Sequence, residues 1–128
     1  MSTNHNSKKT AAVTGGTGAI GQAIARSLAS ENYYVILLVR DPDKAKQAIQ
    51  DIRLSSNGAD IDYRIVDLSI QSSIQSLAES WEGSLDVLVN NAAISPKFRK
   101  ETPHGIELQF ATNVLGYFWM MHFFSEIL

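Results

Sequence analysis

Three glycines spaced three apart, Gly15, Gly18 and Gly21, are the residues whose type and spacing most directly imply chemistry. A glycine-rich turn between a strand and a helix presents unpaired helix N–H groups and the positive end of the helix dipole, where a diphosphate can be held. One glycine permits the tight turn, one lets the backbone approach the anion, and one lets helix and strand pack closely. Thr17, Ala19 and Ile20 lie among them and share the candidacy. A ligand-free structural turn is the competing reading, and the surrounding strand and helix pattern favours the anion site. No Gly-Lys-Ser or Gly-Lys-Thr follows, which disfavours a nucleoside-triphosphate P-loop.

The elements that must position this turn alternate. Thr10 to Thr14 is short and β-prone, and Ile20, Ala23, Ile24 and Leu28 after the turn recur at helical spacing. Tyr33 to Val39 is a continuous apolar run, as in a strand buried on both faces of a parallel sheet. Pro42 opens a second helix with Ala45, Ala48, Ile49 and Ile52 as its buried stripe, and Asp41 stands as its cap. Ile61 to Val66 reads as a third strand ending at Asp67, followed by a helix through Ile70, Ile74, Leu77, Ala78 and Trp81 that Gly83 ends. Leu85 to Val89 is a fourth strand, a loop runs from Ser95 to Pro103, and a long helix extends from about Gly105 to the C-terminus. The order implies right-handed crossovers and an α/β fold: a Rossmann-type, doubly wound parallel sheet, incomplete, with about four strands ordered 3-2-1-4 and flanking helices.

Composition narrows the partners. A net charge of -2 without a basic run argues against nucleic acid or an anionic membrane surface, and favours a small molecule. The absence of cysteine excludes disulfides, thiolate metal sites and cysteine nucleophiles. His5, His104 and His122 lack metal-ligand spacing, so no metal site is expected. The apolar stretch from Leu115 to Leu128 is shorter than the roughly 20 residues of a membrane span and contains His122 and Glu126. Residues 1–9 read as a flexible tail without a signal-peptide pattern, so a cytoplasmic protein is expected.

Thr14-Gly15-Gly16-Thr17-Gly18-Ala19-Ile20-Gly21 resembles the TGxxxGxG cofactor loop of the short-chain dehydrogenase/reductase family, and Asn90-Asn91-Ala92-Ala93 resembles its NNAG segment. Asp67-Leu68 is similar to the family's adenine-contacting pair, and Phe110 to Gly116 to its helix with a catalytic asparagine, here Asn113. Arg40-Asp41, Glu107 to Phe110 and Asn113 most resemble the retinol-dehydrogenase-like branch. Two departures stand out: Ala19 occupies the usual middle glycine's place, with Gly18 one residue earlier as in the extended epimerase-like branch, and Ala93 replaces the last glycine of NNAG. The resemblance implies that Asp67 accepts from the adenine amino group. It places Leu68 beside it, and the backbone around Asn90, Ala92 and Ile94 along the adenosine and nicotinamide-side ribose.

An acid about 20 residues past the glycines would bind a ribose 2′-OH, whereas arginine accommodates a 2′-phosphate. Arg40 stands there, which favours NADP(H) over NAD(H), while capping explains Asp41. The resemblance further implies a hydride transfer between a small-molecule carbonyl and an alcohol, with a Tyr as proton donor, a Lys four positions later and a Ser orienting the substrate. None of Tyr33, Tyr34, Tyr63 or Tyr117 has that lysine. Residues 10–128 are therefore expected to be a cofactor-binding domain truncated before the catalytic Tyr-x-x-x-Lys, inactive by itself, with Asn113 as the one catalytic-type residue, holding a water of the proton relay. The apolar helix 105–128 is expected to need a cover, which makes self-association through it a further expectation. A non-catalytic dinucleotide-binding or regulatory protein, and an extended-type epimerase or dehydratase, remain the alternatives.

Overall fold

The structure, a computed structural model, describes residues 8–128. Strands β1 (Thr10–Thr14), β2 (Tyr34–Val39), β3 (Ile61–Ile65) and β4 (Val87–Val89) form one sheet in the order β3-β2-β1-β4. All three pairings are parallel, with Ala12 opposite both Ile36 and Leu88. Helices α1 (Ala19–Ser30), α2 (Pro42–Ser55) and α3 (Gln71–Glu79) alternate with the strands. The chain closes with a single turn α4 (Leu108–Phe110), a π-helical segment (Ala111–Leu115) and α5 (Gly116–Phe124).

Successive side chains of a strand point to opposite faces, and β2 divides its residues accordingly. Ile36 and Leu38 join Ile74 and Leu77 of α3 and Met120 and Phe124 of α5 in one core. Val35, Leu37 and Val39 join Ala25 of α1 and Ala45, Ala48, Ile49 and Ile52 of α2 in the other. The sheet is thus the middle of three layers, which explains why β1 and β2 are almost continuously apolar.

Several boundaries differ from expectation for local reasons. Asp41 caps α2 as expected, its Oδ1 accepting from the N–H groups of Asp43 at 2.9 Å and Lys44 at 3.4 Å. The last helix starts at Leu108 instead of about Gly105, because Gly105 turns the chain at φ 79° and Glu107 supplies the cap. The Glu107 carboxylate accepts from Gln109 N–H at 2.7 Å and Phe110 N–H at 2.9 Å, bonds that hold its pKa below the usual value. Helix α3 ends before Trp81, whose ring meets Phe124 edge-on at 5.4 Å. Strand β4 is shorter than the expected Leu85 to Val89, although Leu85 remains buried. Of the expected tail, residues 1–7 lie outside the described residues, while Lys8 pairs with Asp60 at 3.5 Å and the Lys9 carbonyl accepts from Tyr34 N–H at 2.9 Å.

Candidate functional site

The chain runs from β1 outward to β2 and β3 and then returns to place β4 on the other side of β1. Ligands of doubly wound sheets bind at such a reversal, outside the carboxyl ends of the strands. A cleft of about 630 Å³ lies there, within the range of small-molecule sites. Its lining includes Gly15, Thr17, Gly18, Ala19, Ile20 and Gly21 from the first turn, and Arg40 and Lys44 beyond β2. Asp67 and Leu68 come from the end of β3, Asn91 to Ile94 from the end of β4, and Thr112 from the π segment.

The glycines divide their work as the turn requires. Gly15 has φ 66°, a left-handed conformation that side chains rarely adopt, and a Cβ there would lie 2.8 Å from Ala92 Cα. At Gly21 a Cβ would fall 2.1 Å from the Gly15 carbonyl oxygen, so α1 packs on the turn only through a hydrogen atom. Gly18 is different. A Cβ there would meet only the Gly15 oxygen, at 3.7 Å, and the space it would fill belongs to the cleft. Gly18 also caps α1 without any side-chain hydrogen bond, and the first turn carries no acid, an arrangement in which an outside anion could be accepted by the helix N–H groups. A diphosphate fits this cradle on both counts.

Thr14, at the end of β1, fastens the two walls together. Its hydroxyl accepts from Asn91 N–H at 2.9 Å and Ala92 N–H at 3.0 Å, and donates to the Val89 carbonyl at 3.3 Å. Those three bonds exhaust what a hydroxyl can make. The Asn91 amide adds donors to the carbonyls of Thr14 at 3.2 Å and Gly15 at 3.4 Å. From the other side, Tyr117 of α5 donates its hydroxyl to the Ala92 carbonyl, and burial pushes its pKa up.

Asp67 lies in the cleft wall with its Oδ1 accepting from Ser69 N–H at 3.0 Å and the Ser69 hydroxyl at 2.7 Å. It shapes a turn, since α3 begins only at Gln71. Asn113 stands in the π segment, where Gly116 N–H reaches back to the Ala111 carbonyl. Its Oδ1 accepts from Ile94 N–H at 2.9 Å and its Nδ2 donates to the Ile94 carbonyl at 2.8 Å, so both ends of the amide hold the loop after β4.

The structure thus brings together every sequence-derived cofactor candidate except Asn90, which is not in the lining and whose Oδ1 is buried without a partner among the described residues. Asn113 touches the site through Ile94. Thr14, Asn91 and Lys44 were not among the candidates. Lys44 stands in the first turn of α2, whereas Arg40 precedes the Asp41 cap, so helical spacing does not link them and only the fold brings both to the cleft. The choice between Asn90 and Asn91 depends on where β4 ends. Among the described residues no cluster of metal-ligating side chains occurs, and no helix is long and apolar enough to cross a membrane.

Known proteins share this arrangement. A probable oxidoreductase of Streptomyces lividans is 38% identical over 109 residues, covering 84% of this chain and 36% of that protein. Human retinol dehydrogenase 12 is 32% identical over 121 residues, covering 92% and 38%. The chain therefore spans little more than a third of the length of these relatives. Among solved structures, a metagenomic short-chain oxidoreductase in complex with NADP superposes with a TM-score of 0.77 at 28% identity, covering 93% of this chain and 56% of that one. A protein from Mycobacterium Paratuberculosis superposes with a TM-score of 0.82 at 31% identity, covering 93% and 42%. The family model described as short chain dehydrogenase matches residues 9–128, and with the sheet order and the cleft already in place, the chain belongs to the short chain dehydrogenase family.

Proposed function

We propose that residues 10–128 are the NADP(H)-binding part of an oxidoreductase that interconverts a small-molecule carbonyl and an alcohol. The observation that carries the cofactor choice is the rim beyond β2. Arg40 lines the cleft there, whereas the Asp41 carboxylate is turned into α2 as its cap and is absent from the lining. A ribose 2′-OH needs an acid at this place, and Asp41 stands outside the cleft lining; a guanidinium suits a 2′-phosphate. Asp67 has Oδ1 committed to Ser69, so its Oδ2 is the oxygen for the adenine amino group. A bound nicotinamide would supply the hydride. Asn113 then acts as a positioning residue that sets the Ile94 loop beside the ring-side ribose.

The 128 residues by themselves hold no Tyr with Lys four positions on. Proton donation to the forming alkoxide requires a group of that kind within hydrogen-bond reach. We therefore assign binding without turnover to these residues alone, in a cytoplasmic setting, with self-association through the apolar face of the last helix. The extended-branch reading rests on Gly18 alone.

The test is calorimetry of NADPH and NADH against the parent and Arg40→Ala. The expected outcome is at least about a tenfold loss for NADPH, the scale of a charge-assisted phosphate contact, with NADH nearly unchanged. Equal losses for both dinucleotides would overturn the cofactor assignment, and no binding of either would overturn the site.

A further inference from the structure

The two edges of the sheet are finished differently. At the β3 edge, Val35 N–H donates to the Asp60 carbonyl at 2.9 Å and Val66 N–H to the Val39 carbonyl at 2.8 Å. In a parallel ladder alternate residues bond to the neighbouring strand, so residues 60, 62, 64 and 66 face β2. The N–H and C=O groups of Ile61, Tyr63 and Ile65 consequently point out of the sheet. Such a row is a template on which another strand can add.

Three charged side chains occupy it. Arg53, from the last turn of α2, donates Nη2 to the Ile61 carbonyl at 3.2 Å. Asp62 Oδ1 accepts from Tyr63 N–H at 2.8 Å, and Arg64 Nη1 donates to the Tyr63 carbonyl at 2.8 Å. The same guanidinium donates to Asp62 Oδ2 at 2.9 Å, tying the two local bonds into one unit, which Tyr34 of β2 backs with a hydroxyl bond to Asp62 Oδ2 at 3.4 Å. An incoming strand would have to displace charge-assisted bonds at consecutive outward groups before forming its own. Strand β4, by contrast, is Val-Leu-Val and carries no charged side chain.

We propose that Arg53, Asp62 and Arg64 form a clip that closes the β3 edge to strand addition, and that its removal admits the β3 strand of a second copy of this chain. The clip lies on the edge strand farthest from β4, so this inference stands independently of the cofactor assignment.

The chain contains no cysteine, so Ile65→Cys supplies a single thiol beside this edge. It would be placed in the parent and in an Arg53→Ala, Asp62→Ala, Arg64→Ala background, and both proteins treated with a short bis-maleimide across a concentration series. Concentration-dependent cross-linking is expected to be at least about fivefold greater without the clip, about the equilibrium worth of one hydrogen bond. Equal cross-linking of two folded proteins would overturn the proposal. Should the triple variant fail to fold, amide exchange decides in the parent. The Tyr63 N–H must exchange at least about fivefold more slowly than the Ile65 N–H, which faces the same way. Equal rates there would likewise overturn it.

Discussion

At the scale of single residues, the site depends on atoms that are missing as much as on atoms present. Gly21 has room only for hydrogen, so Gly21→Ala must push α1 off the turn or distort the turn itself. A destabilisation of about 1–3 kcal/mol, typical of overpacking, is expected together with lost dinucleotide affinity. Urea denaturation with parallel NADPH titration checks both; a variant that keeps its stability and its affinity would contradict the close packing. Thr14→Val keeps the shape and removes the hydroxyl that serves Asn91 and Ala92. Leaving those N–H groups unpaired is expected to cost about 1–3 kcal/mol, read as a lower denaturation midpoint at an unchanged slope. The turn glycines and the place of Arg40 on the cleft rim were legible in the sequence because they follow from covalent structure and position. Thr14 opens the glycine motif, but its fastening role was not legible, because that role lies in two N–H groups nearly eighty residues away in the chain.

At the scale of elements, periodicity found every strand and the major helices, and failed where termini are set by capping. Glu107, not Gly105, begins the last helix, and its carboxylate does so with two backbone bonds that no apolar pattern announces. The π segment was equally silent, since it shifts hydrogen bonds by one residue without changing which types are apolar. Strand β3 carries a testable titration. Burial pushes the Asp62 pKa up, but the bonds from Arg64 and from Tyr63 N–H outweigh it and leave the carboxyl below its ordinary value. A depressed carboxylate stabilises the fold above its unfolded pKa, and that contribution disappears as pH falls through the folded value. Between about pH 5 and pH 3, where unfolded carboxylates titrate, the parent should therefore lose more stability than Asp62→Asn. Denaturant midpoints at each pH measure the difference, and parallel slopes for the two proteins would remove Asp62 as a contributor.

At the scale of the whole molecule, one outer surface stands out. Phe110, Val114, Phe118 and Met121 follow one another at helical spacing along α4, the π segment and α5, and each is about half exposed, Phe118 the most at 58%. A contiguous apolar stripe of this kind marks an interaction surface. On the self-association assigned above, the 128-residue protein should sediment as a concentration-dependent oligomer, and Phe118→Glu should return it to monomer without lowering its denaturation midpoint. A parent that stays monomeric at high concentration would refute that assignment. The sequence disclosed this stripe as an apolar helix but not which side lay open, because Met120 and Phe124 on the inner side are just as apolar and are fully buried.

The hydroxyl of Thr14 joins the β1 turn to the loop after β4 with no ligand in between. Direct bonds between protein atoms assemble this floor of the cleft, so a dinucleotide does not have to bridge its two walls. Capture should accordingly follow a single bimolecular phase whose rate rises in proportion to nucleotide concentration, with no plateau from a slow closing step.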